Sequence, residues 1–476
     1  MPTVRPLFAH CSHTAHSAQQ DTRYKIQDTR HMLSRIFNPK SIAVIGATPK
    51  PGSVGLGLFK NVIKGMKLRK IYAINPFKKK VLGFKCLPLI NSVREKVDLA
   101  IIAVPAAIVP KVVKECCEKK VGGIIIISSG FAEIGEKGRI LQEKIIKMVR
   151  RAKIPLIGPN VLGIIRPSIN LNASFAPASP RKGGIAFVSQ SGALIDSIID
   201  KNLLENYGFS TLISYGNEAD LSLCDFLLWL DKDKETKVIA IYLEGIKNGR
   251  RFFEIAKRIR KPIIAIKAGR LAIAKKAAMT HTASLAGDYK IFKALFKQTG
   301  IIKADTIQDL FDIAKALSWQ PKSKNGIGVI TNGGGCAVLA ADYFNEFGIK
   351  LPELISKTLK KLKKSRIMHP ACSFRNPLDI VGDALSSRYK VAIEALLEQE
   401  NIYGLLIVQT LQIMTEVKKN AKIIIEAKRK WPKKPIVCAF LGGKFTQKGV
   451  KILEKNKIPN YQDLKQAVLA LRYLVL

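Results

Sequence analysis

SIAVIGATPKPGSVGLG, residues 41–57, is the stretch on which the fold turns. SIAVI is short, apolar and β-branched, the pattern of a strand buried on both faces, and it runs straight into a Pro/Gly-rich turn and a helix. Gly46, Gly52, Gly55 and Gly57 let the backbone come close to a phosphate at that helix start, with Lys50 and Ser53 as donors. The spacing is not G-x-G-x-x-G. The next strand, KIYAIN, ends at Asn75 and Pro76, where an NAD site would carry Asp or Glu for the ribose hydroxyls. The loop therefore speaks against NAD while allowing another nucleotide, with an unliganded structural turn as the alternative.

Outward from this turn, short apolar runs alternate with longer amphipathic segments, as in parallel α/β units. SIAVIG, KIYAIN, VDLAIIAVP, GGIIIIS and IPLIG read as five strands of a doubly wound sheet. A Pro-rich stretch, RPSINLNASFAPASPRKGG, reads as a link. IAFVS, TLISYG, VIAIYLEG and PIIAIKAG form a second series, and after PKSKNG come IGVIT, LDIV, YGLLIVQ and PIVCAFLGG. Residues 184–200, GIAFVSQSGALIDSIID, line up with residues 326–342, GIGVITNGGGCAVLAAD, which suggests a shared architecture. The domain reading is residues 1–33 as a disordered extension, then units at 34–168, 169–320 and 321–476.

Composition narrows the functional classes. No apolar run reaches the roughly 18–20 residues of a membrane span, and the eight cysteines lack a C-x-x-C pair, so no membrane protein, zinc site or disulfide framework is indicated. No metal site is expected, and the setting reads as cytoplasmic. The 79 Lys and Arg against 36 Asp and Glu give a net charge of +43, but these cations are spread over all segments with few aromatics to stack bases. Nucleic-acid binding is thus disfavoured relative to small polyanions or a Lys-biased surface. The first 33 residues hold four of the six histidines without a defensible ligand spacing, and lack a secretory apolar region; their low acidity leaves organelle targeting open.

Three motifs carry chemistry. In SQSGAL, Ser189, Gln190, Ser191 and Gly192 join a strand to a helix and place hydroxyls and free amides at the positive end of the helix dipole, which suits an anion or an ordinary cap. In YLEG, Glu244 ends a strand at the ligand-binding edge of a doubly wound sheet, where a carboxylate could orient an imidazole or simply be solvated. THTASLAG, residues 280–287, sets His281 among small residues after KAGRLAIAKKAAM, which reads as a mobile loop. A lone histidine is more often structural, but with two anion-binding turns and a placed carboxylate the set suggests a phosphoryl-accepting nucleophile.

In this order, NPKSIAVIGAT with PGSVG, NPF, GPNVLG, SQSGAL, SYGNEADLSLCDFL, YLEG, KAGR, THTASLAG, NGGGCAVLAAD and NPLDIVGDA resemble the alpha subunit of the nucleoside-diphosphate-forming acyl-CoA synthetases, relatives of succinyl-CoA synthetase. The resemblance covers roughly residues 34–476 and implies a Rossmann-like CoA-binding domain followed by two flavodoxin-like ligase domains. It implies His281 as the phosphohistidine, Glu244 as its orienting carboxylate, and Ser191 with Gly192 as the phosphoryl cradle. Gly46, Thr48, Ser53, Val54, Asn75 and Pro76 would hold CoA, with Val104 and Pro105 at the next strand end. Val161 stands where the family usually has Cys, and Thr280 and Ala283 where Ser and Gly are commoner; no reactive group is lost. The implied reaction turns acyl-CoA, ADP and phosphate into acid, CoA and ATP through an acyl phosphate. ADP or ATP and Mg²⁺ would be bound through an ATP-grasp beta subunit, since all three α/β units are assigned and no G-x-x-x-x-G-K-[ST] loop is present. The competing class is a CoA- or acyl-CoA-sensing regulatory module without turnover. The acid used is not legible.

Overall fold

The computed structural model describes residues 33–270 and 289–475. The expected N-terminal extension and the THTASLAG segment with His281 lie outside the described residues.

The first sheet consists of β1 (Ser41–Ile45), β2 (Lys70–Ile74), β3 (Lys80–Val81), β4 (Phe84–Leu87), β5 (Leu99–Ile102), β6 (Gly123–Ile126) and β7 (Leu156–Ile157), in the order β3-β4-β2-β1-β5-β6-β7. Apart from the antiparallel β3–β4 hairpin all pairs are parallel. Without β3 this is the Rossmann order, whose ligand crevice opens between β1 and β5. Alternation along each strand feeds two cores. Ile42, Val44, Leu99 and Ile101 pack with Leu58 and Phe59 of α1 (Val54–Ile63) on one face. Ala43, Ile45, Ala100 and Ile102 pack on the other with α2 (Val109–Glu118) and α3 (Glu136–Ala152), through Val113, Ile145 and Val149.

The second sheet has β8 (Gly163–Arg166), β9 (Leu171–Ser174), β10 (Lys182–Ser189), β11 (Phe209–Ser214), β12 (Val238–Leu243), β13 (Ile263–Lys267) and β14 (Ile302–Lys303), in the order β14-β13-β12-β10-β11-β8-β9. The parallel part has the flavodoxin order and switches direction between β10 and β12. The stretch read as a Pro-rich link corrects to structure, because its beginning forms most of the β8–β9 hairpin, which extends this sheet antiparallel through β11. Its strands are only four residues each and contain Arg166, Asn172 and Ser174, all buried, so neither reads as an alternating or wholly apolar strand. The hairpin straddles residue 168 and its second strand lies against α1, so the first two units interlock at this point.

The third sheet, β16-β15-β17-β18, uses β15 (Ile327–Thr331), β16 (Leu378–Asp379), β17 (Gly404–Gln409) and β18 (Ile436–Phe440), all parallel. A lone parallel bridge from Cys438 to Asn460 stands where a fifth strand would be, giving again the flavodoxin order. The three units share cores in pairs. Ala186, Val188, Ile239 and Ile241 on one face of the second sheet join the cluster of the first, while Ile185, Phe187, Val238 and Ala240 on the other face join that of Val329, Leu406 and Val437 in the third. Arg166 clamps the first junction. Its guanidinium pairs with Asp233 at 2.9 Å, donates to Asn38 Oδ1 at 2.7 Å and lies 4.9 Å over the Trp229 ring, which stacks on Phe37.

Candidate active site

In the first domain Gly46 takes a φ of +94°, and a Cβ there would sit 2.3 Å from the Ala103 carbonyl oxygen, so only glycine fits. Gly55, in the first turn of α1, abuts the Gly46 carbonyl as closely, since an added Cβ would fall 2.2 Å from that oxygen. The loop is thus wedged between the end of β5 and the start of the helix. Ser53 caps α1, its Oγ accepting from the Leu56 amide at 3.2 Å and donating to the Lys50 carbonyl at 2.7 Å. Asn75 donates from Nδ2 to the Ala47 carbonyl at 2.8 Å, which braces the turn from the next strand. Thr48 Oγ1 accepts from the Lys50 amide. Pro76 follows Asn75 outside the sheet. These contacts give Ser53 and Asn75 scaffold roles that leave the loop's shape fixed.

In the second domain α4 (Gly192–Leu204) starts at Ser191, whose Oγ accepts from the Leu194 amide at 3.3 Å. Ser189 Oγ donates to the Ser191 carbonyl at 2.8 Å and accepts from the Ser191 amide at 3.1 Å, closing a tight turn. Gln190 latches the two sides of the switch point. Its Oε1 accepts from the amides of Glu244 and Gly245, the latter at 3.1 Å. Glu244 is 5% exposed, and its carbonyl accepts from the buried Lys267 Nζ at 2.8 Å. Burial and the nearby Glu218 and Glu244 carboxylates push the Tyr215 phenol well above its usual pKa.

The repeat seen in the sequence reaches hydrogen-bonding detail. Thr331 Oγ1 donates to the Gly333 carbonyl and accepts its amide, at the start of the helix Gly334–Glu346, as Ser189 does with Ser191. Asn332 Oδ1 accepts from the Thr410 amide at 2.7 Å, as Gln190 does from Glu244.

The two switch points meet in one cavity of about 570 Å³. Val54, Val104 and Pro105 line it from the first domain, and Gln190, Ser191 and Gly192 from the second. Gly46, Thr48, Lys50, Ser53, Gly55, Asn75 and Pro76 shape the neighbouring turn without lining the cavity, Ser189 is buried beneath it, and Glu244 stands behind Gln190. Glu244's neighbour Gly245 borders a second cavity, of about 230 Å³, with Lys247, Arg251 and Glu218. Burial raises the Glu218 carboxyl pKa and lowers that of Lys247.

Ser128, Ser129, Asn160, Phe175 and Asp196 also line the main cavity and were missed in the sequence reading. Ser128 and Ser129 follow β6 in GGIIIISSG and answer to the same strand-end rule that flagged Val104; Ser128 Oγ donates to the Val104 carbonyl at 2.5 Å. Asn160 stands in GPNVLG. Asp196 had no signal, since a helical carboxylate usually faces water. Here burial pushes its pKa up to about 6.

The chain leaves the described residues at Arg270 and returns at Tyr289, and these two touch: the Arg270 guanidinium lies 5.7 Å over the Tyr289 ring. It also bonds Asp305, with Nη1 2.7 Å from Oδ1. Arg270 and Tyr289, the described residues on either side of 271–288, are thus held beside each other. No group of three or more His, Cys, Asp or Glu side chains able to hold a metal occurs among the described residues, and none of the described helices is long and apolar enough to cross a membrane.

Comparison with known proteins matches this architecture part by part. A CoA binding domain model covers residues 40–167, a succinyl-CoA ligase like flavodoxin domain 182–317, and a ligase-CoA domain 327–474. The alpha subunit of ADP-forming acetate–CoA ligase II of Pyrococcus furiosus is 39% identical over 448 residues, covering 92% of this chain and 97% of the subunit. The chain belongs to the ADP-forming acetate–CoA ligase family. Within this ligase family, ADP-forming acetate–CoA ligase I of Archaeoglobus fulgidus is 40% identical over 93% of this chain, which spans only 63% of that longer relative. A solved family structure, the Ca. Korarchaeum cryptofilum dinucleotide forming acetyl-coenzyme A synthetase 1 in complex with phosphate and ADP, superposes with a TM-score of 0.88 at 37% identity, over 93% of this chain and 96% of that one.

Proposed function

We propose that this chain is the CoA- and phosphoryl-handling half of an ADP-forming acyl-CoA ligase. The observation that carries the reading is the convergence of two switch points, one from a CoA-binding-type domain and one from a ligase domain, on a single cavity. CoA lies along Gly46, Thr48, Lys50, Ser53, Val54, Gly55, Asn75 and Pro76 and delivers its thioester past Val104 and Pro105. Ser191, Gly192 and the free amides of α4, with Ser189 and Gln190 fixing the turn, cradle phosphate beside it.

Phosphate oxygen attacks the thioester carbonyl, the C–S bond breaks, and CoA leaves as acyl phosphate forms. The His281 imidazole then takes the phosphoryl group, breaking the acyl P–O bond and releasing the carboxylate, and passes it to ADP. Glu244 holds the imidazole tautomer. The near-complete match to relatives that are named alpha subunits, and the 63% match to a longer one, support an ATP-grasp beta partner that binds ADP or ATP and Mg²⁺. Full-length similarity to named ligases favours this reading over a sensing module.

The test is ATP formation from acetyl-CoA, ADP and phosphate by the purified chain with and without an ATP-grasp subunit. Turnover is expected only in the complex. Robust ATP formation by the chain alone, shown free of host subunits by mass spectrometry, would overturn the two-subunit assignment, and no turnover with any acyl-CoA in the complex would overturn the activity.

A further inference from the structure

We propose that the cleft between the second and third domains, at the amino ends of the second sheet, is a binding site for a nucleoside polyphosphate. It lies at the other end of β10 from the phosphate cradle, roughly 20 Å away by strand rise, and does not depend on the ligase reading.

The cleft is a cavity of about 860 Å³, within the ~300–1,000 Å³ of small-molecule sites. Arg181 and Lys182 line it at the start of β10, Lys234 and Lys237 ahead of β12, and Lys451, Lys455 and Lys457 on and just beyond the helix Gln447–Lys455. None of these cations pairs with a carboxylate among the described residues. Glu235 and Glu454, the acids of the lining, are committed elsewhere. Glu454 Oε1 stands 3.3 Å from the buried Lys315 Nζ and its Oε2 accepts from Asn206 at 2.7 Å, while Glu235 Oε2 faces Arg166 at 3.6 Å. The positive charge of the cleft is therefore uncompensated. Other basic surfaces differ, as where Lys303 and Arg270 share Asp305. Like charges gathered in a cleft repel one another, and a polyanion turns that cost into affinity.

Two further groups say what the anion carries. Ser318 is 5% exposed and lines the cleft, and its hydroxyl has no hydrogen-bond partner among the described residues. Unlike the Tyr215 hydroxyl, it is not sealed from water. It points at Gly184, another lining residue, where an added Cβ would fall 2.7 Å from Ser318 Oγ and 3.2 Å from the Lys237 methylenes, so glycine leaves room for both. A phosphate oxygen entering there satisfies the hydroxyl and meets the Lys237 ammonium. Trp319 packs partly on the core and lines the cleft with the rest of its side chain. Trp229 and Trp431 each have a cation over the ring; Trp319, the third tryptophan, has none among the described residues. A half-buried indole beside unpaired ammonium groups suits a base stacked on the ring with its phosphates among the lysines. An inorganic polyphosphate would leave the indole unused.

The experiment is calorimetry on the full chain, saturated with CoA to keep the first-domain loop occupied, at fixed ionic strength, with ATP and inorganic tripolyphosphate as titrants. Both are expected to bind. Replacing Lys451, Lys455 and Lys457 together by Gln should weaken both by about 10-fold or more. Replacing Lys357, Lys360 and Lys364 by Gln removes the same charge from the helix Ser356–Lys364 and should leave both affinities within about twofold. Trp319→Leu should weaken ATP by about 10-fold and spare tripolyphosphate, whereas Trp319→Phe, which keeps a ring, should retain most of the ATP affinity. No ATP binding, or equal losses in the two lysine triples, would overturn the proposal. Unchanged ATP affinity in Trp319→Leu would overturn it in favour of an inorganic polyanion. Tighter binding of an oligothymidylate, lost in the same variants, would overturn it in favour of single-stranded nucleic acid.

Discussion

Three glycines of the first turn make a graded test, because the space around each differs. At Gly55 an alanine Cβ would fall 2.2 Å from the Gly46 carbonyl oxygen and 3.1 Å from Thr48 Cγ2. Ordinary contact needs about 3.5 Å, so α1 and the Gly46–Thr48 loop must part by ~1 Å or more. Overpacking on that scale costs about 1–3 kcal/mol of stability. It also lengthens hydrogen bonds from the helix start to a phosphate beyond useful range, and losing one charge-assisted bond, worth about 1.5–3 kcal/mol, weakens CoA by ~10- to 100-fold. Gly52, at a φ of +72° with open space around it, should cost only the left-handed backbone strain of about 1–2 kcal/mol on replacement by alanine. Gly57 lies inside α1 with Phe175 Cβ 3.8 Å from the added methyl, so Gly57→Ala should be neutral or stabilising, by up to ~1 kcal/mol. Calorimetric CoA titrations and denaturant melts of the three variants check the order. Wild-type affinity and stability in Gly55→Ala, or equal damage in Gly57→Ala, would refute the close approach of helix and loop.

Arg166→Ala should destabilise the first junction by about 3 kcal/mol, because it leaves Asp233 buried without its cation; the pair is 4% and 8% exposed. Adding Asp233→Ala should recover part of that loss, and a single-mutant effect below about 1 kcal/mol in denaturant melts would contradict the clamp. Asp196 gives a pH signature. Its folded pKa lies near 6, above the ordinary Asp value, so the stability its protonated form contributes is full below the unfolded pKa near 3.8 and is lost as pH rises through 6. Asp196→Asn should therefore melt higher than the wild type at pH 7.5, with the gap narrowing toward pH 5; a gap independent of pH would exclude this cause.

What the sequence made legible follows from burial. β1, β5 and β6 are buried on both faces, so SIAVI, LAII and GIII stand out as apolar runs, and the glycines beside them mark close approaches that no side chain permits. The same logic places Ser191 and Glu244 just beyond the ends of such strands. The hairpins escaped because β3 has two residues and because β8 and β9 set buried polar Arg166, Asn172 and Ser174 among core positions such as Ile164 and Leu171. Gln190 was placed correctly in the turn, but its bridging of the Glu244 and Gly245 amides depends on tertiary distance and has no local signature. Asp196 was hidden for the opposite reason, since its surroundings come from the first domain, the β9 end and α4 together.

The central claim is that phosphate passes through this chain on one imidazole. The direct measurement is phosphoryl labelling: the chain with its ATP-grasp partner is given γ-labelled ATP and Mg²⁺, and the modified residue is located by mass spectrometry. The expected result is acid-labile, base-stable phosphate on His281, absent in His281→Ala and slowed by ~10²-fold or more in Glu244→Gln. Undiminished labelling of His281→Ala, or a phosphoryl group located on another residue of this chain, would contradict the account.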